Sequence, residues 1–349
     1  MEIRPPLTDG RGMVMEQKKL KYVKFDSQRR FGVELEVGNE VKKKAVQSVI
    51  STVSKYNAYV SRYALSNNNC YWHIKDDATC GLKGRNGPKG VEIASFIGKG
   101  IDDIDHVSFV SSKLNDIGCK ANHNCGLHVH AEVSDLTMDQ VAVIVACWIK
   151  IERLMSMILP IRRYQSEHCK FMFAPSCNDN VFGLCREKSY TCHDFLEAVS
   201  PKNLSYFDND DRRFNLNLVN LVRAVNDNSP NRRTIELRWP EGTLEPRDIR
   251  CWVKLFLLFI DSCKDRKMPK NLHHCGLEEG LQMFGLSHSK NIFIIMSESI
   301  HETKTWFLER ILNHNGDAVE FYKSKDVLKI ANEAKFILNQ MWSPIRIYE

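Results

Sequence analysis

The chain of 349 residues contains no run of about 18 uncharged apolar residues, which excludes a membrane-spanning helix. Met1 to Gly10 lacks the apolar block of a secretory signal. None of the 12 cysteines falls in a CxxC pair, and they are scattered where a disulfide framework would be dense in a shorter chain. The expectation is reduced thiols and a cytoplasmic location. No GxxxxGK[ST] loop occurs; the glycine-rich stretch Lys83 to Gly90 lacks that order and reads as a turn or exposed loop. The formal charge of +6 permits a phosphate-bearing or acidic partner without demanding nucleic acid. What remains is a soluble globular composition, 43% hydrophobic and 26% charged, long enough for one large domain or two ordinary ones.

Within it, one stretch has two unlike faces. In Cys125 to Glu132, strand alternation sends Leu127, Val129 and Ala131 to one side and His128, His130 and Glu132 to the other. The first side suits a core; two imidazoles and a carboxylate suit a metal better than a core. Arg30 to Val37 repeats the design, with Phe31, Val33, Leu35 and Val37 opposite Glu34 and Glu36. Taken alone, that glutamate pair equally suits a solvent-facing strand. Thr234 to Trp239 repeats it again, with Ile235, Leu237 and Trp239 opposite Thr234, Glu236 and Arg238. If the three share a sheet, one surface carries all these carboxylates, both histidines and Arg238.

Periodicity organises the rest. Residues 1 to 24 are polar and basic and read as a flexible arm. Asn39 to Tyr56 reads as a helix, Tyr71 to Lys75 and Val91 to Ser95 as strands, and Ile101 to Ile117 as a helix with Ile104, Val107, Val110 and Leu114 inward. Thr137-Met138-Asp139-Gln140 is a capping-box pattern opening a buried helix to about Leu159. Pro160 stops it before Arg162-Arg163-Tyr164, a basic surface loop or an anion-binding corner. Arg212 to Leu221 alternates like a strand, and a polar turn joins it to the Glu236 strand as an antiparallel hairpin. Arg247 to Cys263 reads as a helix. Beyond Lys264 the pattern is helical, over His273 to Phe284, Ser289 to Ile300, Thr303 to Leu312 and Val319 to Met341. Three units follow: the arm 1–24, a catalytic domain 25–265, and a helical extension 266–349 packed on it.

Carboxylates outnumber imidazoles among the candidate ligands, with no obvious thiolate, so the pattern favours Mg²⁺ or Mn²⁺ over Zn²⁺. Arg238 stands two residues from Glu236, where it aims a guanidinium at a phosphate that the metal also binds. A metal and an arginine on a polyphosphate are the usual apparatus of phosphoryl transfer.

The chain resembles the amidoligases, carboxylate–amine ligases with a glutamine-synthetase-like fold. The likeness is carried, in family order, by Phe31-Gly32-Val33-Glu34-Leu35-Glu36, by Trp72 with Asp77 and Thr79, and by Gly90 to Ser95. It continues through Gly126-Leu127-His128-Val129-His130, Arg163-Tyr164, Arg213 to Leu218, and Thr234 to Arg238 with Gly242-Thr243 and Trp252. It covers about Phe31 to Cys263. Thr79 stands where serine is usual. The resemblance implies an α+β fold whose curved, mainly antiparallel sheet lines the active site with one face and carries helices on its flanks. It implies ATP-dependent amide or peptide bond formation through an acyl phosphate, with Mg²⁺ held by Glu34, Glu36, His128 and Glu236. Arg238 would clamp the transferring phosphoryl group, with Glu236, His130 and Arg163 as its catalytic companions. Glu92, Arg213, Asn217 and His130 would line the ATP and acyl sites. Arg162, Arg163, Tyr164 and Asp77 would receive the substrate, an acidic amino acid, peptide or nucleotide-linked acid that meets an amine.

Three other readings compete. A cupin-like metal enzyme also carries HxH on a strand, but it wants a glutamate after a gap of three or four residues, and Glu132 comes too early. An inactive binding module could keep the same fold. A zinc site could form from His128, His130 and Cys125.

Overall fold

Alternation along Arg30–Val37 buries Phe31, Val33, Leu35 and Val37 almost completely, and the same holds for Leu127, Val129 and Ala131. Burying these side chains drives the strands together, and the period of two fixes which residues remain on the opposite face. The computed structural model describes residues 21–23, 25–39, 41–60, 70–81, 90–164, 166, 168–172, 213–226, 233–286, 294–318 and 324–342.

The elements run β1 (Lys21–Val23), β2 (Arg30–Val37), α1 (Lys43–Val53), β3 (Asn57–Val60), β4 (Tyr71–Asp77), β5 (Gly90–Ala94), β6 (Gly98–Lys99) and α2 (Gly100–Asp116). They continue as β7 (Leu127–Glu132), α3 (Met138–Ser156), α4 (Ile161–Tyr164), β8 (Leu216–Asn217), α5 (Val219–Asn226), β9 (Thr234–Leu237) and α6 (Pro246–Cys263). The last are α7 (Leu277–Met283), β10 (Ile294–Met296), α8 (Glu298–Ala318) and α9 (Ser324–Trp342).

The fold is mixed α+β. Eight strands form an open sheet in the order β3-β4-β5-β2-β7-β9-β8, with β6 also paired to β2. Every pairing is antiparallel except β3 with β4. The apolar face packs against α3 and α6. Trp148 of α3 meets Trp239, just past β9, at a ring-centroid distance of 6.1 Å, and Phe259 of α6 at 5.3 Å. The capping box at the start of α3 is formed in both directions: Gln140 N donates to Thr137 Oγ1 at 3.2 Å, and Thr137 N donates to Gln140 Oε1 at 3.0 Å.

The C-terminal helices share this core. Trp252 of α6 stacks edge-on against Trp306 of α8 at 5.0 Å. Arg310 lies over both rings, donates to the carbonyl of Ile158 at 2.7 Å and pairs with Glu241. Among the described residues no helix is long and apolar enough to cross a membrane.

Two stretches read as one kind of element carry another. The alternation expected over Arg212 to Leu221 yields only a two-residue strand, and α5 begins at Val219. Asn217 is the cause: its Oδ1 accepts from Val219 N at 2.9 Å and caps the helix. In Ser289 to Ile300, read as helix, Ile294–Met296 is instead a strand. It runs parallel to Lys21–Val23, a segment read as the end of the arm, and Ser297 Oγ accepts from Ile300 N at the start of α8. The arm's residues 1–20 and 24 lie outside the described residues.

Candidate active site

Strand register assembles the site. In β2 and β7, Glu34 stands opposite His128 and Gly32 opposite His130. Across β7 and β9, His130 faces Glu236, and across β8 and β9, Asn217 faces Glu236. On the other side of β2, Glu36 faces Glu92, which in turn faces Lys75 of β4. All these side chains emerge on the face that the apolar residues leave free. Glu36, Glu92, His128, Asn217 and Glu236 form its buried floor, while Glu34, His130 and Arg238 are half-buried above it.

The contacts are close. His128 Nδ1 lies 3.0 Å from Glu34 Oε2 and 3.5 Å from Glu236 Oε1, and its Nε2 lies 3.6 Å from Glu36 Oε1. His130 Nε2 is 3.2 Å from Glu34 Oε1. Arg238 Nη1 donates to Glu236 Oε1 at 2.6 Å, and Asn217 Nδ2 donates to Glu236 Oε2 at 2.6 Å. Lys75 Nζ sits 2.6 Å from Glu92 Oε1. Glu34, His130 and Glu236 each offer a ligand atom within 4.8 Å of the other two. A cleft of about 270 Å³ opens beside Glu34 and His130, between Ser95, Ile97 and Thr234. Its rim carries Arg30 and Glu132, which pair with each other; this places Glu132 apart from the histidines.

The electrostatics follow from burying so many charges together. Burial opposes ionisation of Glu34, but the fields of His130 and His128 prevail and hold its carboxyl well below the ordinary value. Burial also opposes charge on His130, yet Glu236 and Glu34 raise it to about 9. In Glu92 burial and the charge of Glu34 outweigh the pull of Lys75 and lift the carboxyl to about 7. Arg238 is raised, burial being overcome by Glu236 and Glu34. His130, Arg238 and Lys75 thus set positive charge against Glu34, Glu236 and Glu92.

The remaining candidate residues lie differently. Asp77 ends β4, where Oδ1 accepts from Thr79 N at 2.7 Å and from its hydroxyl at 2.6 Å, and a carboxylate oxygen of Asp77 comes within 4.8 Å of Glu36. Arg163 is buried beneath the strands. It donates to the carbonyl of Arg238 from Nη2 at 2.8 Å, of Trp239 from Nε at 3.2 Å and of Cys125 from Nη1 at 3.4 Å. Its fork is thus spent on main chain. Arg162 and Arg213 are exposed and lie outside the contacting group. The side chain of Tyr164 lies outside the described residues. The Cys125 thiol donates to Asn122 Oδ1 at 3.5 Å, interacts electrostatically with Cys80, and does not join His128 and His130 in a ligand triad.

Lys75 was missed at the level of sequence. The signal was present, since Trp72 and Ile74 point to the core and alternation therefore puts Lys75 on the face of Glu92.

A family model described as "putative amidoligase enzyme" matches residues 27–260, and the chain belongs to that family. The matched region spans every strand from β2 to β9, hence all the charged residues of the sheet face. Membership points to a ligase that forms amide bonds. No curated protein matches the chain.

Proposed function

We propose that this protein is an ATP-dependent carboxylate–amine ligase on a glutamine-synthetase-like sheet, working with Mg²⁺ or Mn²⁺ through an acyl phosphate. The observation that carries the reading is the register that gathers Glu34, His130 and Glu236 within 4.8 Å of one another and holds Arg238 against Glu236.

The donor set fits a hard divalent cation. Oxygen predominates, two imidazoles complete it, and His130, Lys75 and Arg238 pair with three of its carboxylates. Glu34, Glu236 and His130 would hold the ion, with His128 and Glu36 against them. Once bound, the metal neutralises phosphate charge and aligns the reacting groups.

The chain's own residues do the rest. Arg238 presents a planar, permanently charged fork half out of the floor, which would meet the equatorial oxygens of a phosphoryl group in transfer. Asn217 fixes one oxygen of Glu236, so that carboxylate keeps its orientation. Lys75 neutralises Glu92 at the far wall, where a nucleotide phosphate or the acyl group would lie. In the first step a carboxylate oxygen of the acid bonds to the γ-phosphorus of ATP as the bridging P–O bond breaks and ADP leaves. In the second, the amine nitrogen bonds to the acyl carbon, the C–O bond to phosphate breaks, and inorganic phosphate and a proton depart. The cleft beside Glu34 and His130 would receive the acid, a carboxylate-bearing amino acid, peptide or nucleotide-linked acid.

The competing readings lose ground on geometry. The sheet is open, with β3 and β8 at its edges, unlike a cupin barrel. An inactive module of the same fold is separated by turnover. The deciding experiment incubates the protein with ATP, Mg²⁺ and pooled amino acids, polyamines and peptides, and follows phosphate release together with a new amide by mass spectrometry. Phosphate release that depends on an acid–amine pair supports the ligase; no nucleotide turnover with any pool sinks it.

A further inference from the structure

Behind Glu36, on the side away from His130, a second group of ligand atoms converges. Glu36, Asp77 and Cys80 each offer one within 4.8 Å of the others. The Cys80 and Cys125 thiols act on each other electrostatically, so a second sulfur adjoins the group. Both cysteines are shut from solvent, at 0% and 1% exposure, and both are free thiols.

The backbone is shaped around these sulfurs. A Cβ on Gly90 would come within 2.4 Å of Cys80 Cβ, and one on Gly242 within 2.4 Å of Cys125 Cβ. Two glycines thus make the room that the two thiols occupy. Asn122 braces the same corner: its Nδ2 donates to the carbonyls of Cys80 at 2.8 Å and Gly38 at 3.1 Å. Its backbone N–H donates to Cys125 Sγ at 3.3 Å. An amide aimed at sulfur stabilises a thiolate, and such outer hydrogen bonds accompany metal-bound cysteines. The carboxylates retain capacity as well. Asp77 uses one oxygen in its turn with Thr79, and Glu36 uses Oε2 to accept from Gly126 N at 2.5 Å.

We propose that Cys80 and Cys125, with Asp77 and Glu36, form a binding site for one thiophilic divalent cation of the Zn²⁺ class, separate from the Glu34–His130–Glu236 centre. Two thiolates and two carboxylates make a tetrahedral donor set that Zn²⁺ accepts and that Mg²⁺, which demands six oxygens and retains water, does not. Tetrahedral zinc ligands stand roughly 3.3–3.8 Å apart, so Glu36, Asp77 and Cys80 need to close by about an ångström, and Cys125, outside that group of three, has to be drawn in beside Cys80. Binding releases the thiol protons to solvent. The site stands whether or not the neighbouring centre is a ligase. Glu36 also touches His128, so an ion here ties down a residue of the candidate active site.

The test uses the full chain, reduced and stripped of metal, titrated with Co²⁺ and then Zn²⁺ in millimolar Mg²⁺. One equivalent of Co²⁺ should produce a thiolate-to-cobalt charge-transfer absorption, and Zn²⁺ should erase it. Cys80→Ser and Cys125→Ser should each cut that absorption to about half or less and weaken Zn²⁺ binding at least about tenfold. Glu236→Gln should keep the absorption, which separates this site from the other centre. No charge-transfer band in the wild-type chain, or an undiminished band in both serine variants, overturns the proposal. If the serine variants do not fold, X-ray absorption of Zn²⁺ on the wild-type chain decides: two sulfur ligands support the site, and a shell of only nitrogen and oxygen refutes it.

Discussion

Arg163 donates from Nη2 to the main-chain carbonyl of Arg238 at 2.8 Å, and through its other nitrogens to Trp239 and Cys125. One guanidinium therefore ties the residue that leads into β7 to the residues that leave β9. These are the two strands whose register sets His130 against Glu236. Arg163→Lys keeps the charge but serves at most one or two of the three carbonyls, because an ammonium has no planar fork. We expect a loss of about 2–3 kcal/mol in chemical denaturation, since buried carbonyls are left without donors. Metal affinity should fall with it. A variant as stable as the wild type would show that Arg163 does not brace this corner.

Metal binding itself is the second prediction. Glu34→Gln, Glu236→Gln and His130→Gln each remove one donor atom or one charge from a set already in contact. Each should lower Mn²⁺ affinity by about a hundredfold, read by electron paramagnetic resonance of the free ion, with the far-ultraviolet circular dichroism unchanged. Wild-type affinity in any one of them would remove that residue from the ligand set.

The third concerns pH. Glu92 sits at about 7 in the folded chain against an ordinary 4.5, because burial and the charge of Glu34 outweigh Lys75. Between those two values the folded state binds more protons than the unfolded, so this group's contribution to stability declines as pH rises through the window. Above it the penalty is complete, of order 3 kcal/mol. Glu92→Gln mimics the protonated form. Its stability relative to wild type in the metal-free state should rise from about pH 5 to about pH 8 and stay level beyond. A difference that is flat across that range would contradict the raised value.

Much of this site was legible because strands have a period of two. Once Phe31, Val33, Leu35 and Val37 are recognised as core, Glu34 and Glu36 have only one face to occupy, and the same logic places His128, His130 and Glu236. What stayed hidden is what depends on distant partners. The carbonyls that claim Arg163 lie 38 to 76 residues away in sequence and carry no residue-type signature, so that side chain looked free to grip a substrate. The alternation through Phe214, Leu216 and Leu218 pointed to a strand, yet Asn217 capped a helix in its midst. Neither the Lys21–Val23 strand nor its partner has a periodic signal, because each is three residues long. The proximity of Cys80 to Cys125 is likewise a product of folding, since one follows β4 and the other precedes β7.

That parallel pairing of Lys21–Val23 with Ile294–Met296 bears on how the polypeptide is made. A ribosome delivers Lys21–Val23 before the eight-stranded sheet and its companion only after that whole sheet has emerged. Lys21–Val23 therefore waits without that partner while everything from β2 to α7 is made, with its main-chain donors open to any passing edge. The clasp closes only once Met296 has emerged, and until then that edge stays available for pairing with other strands.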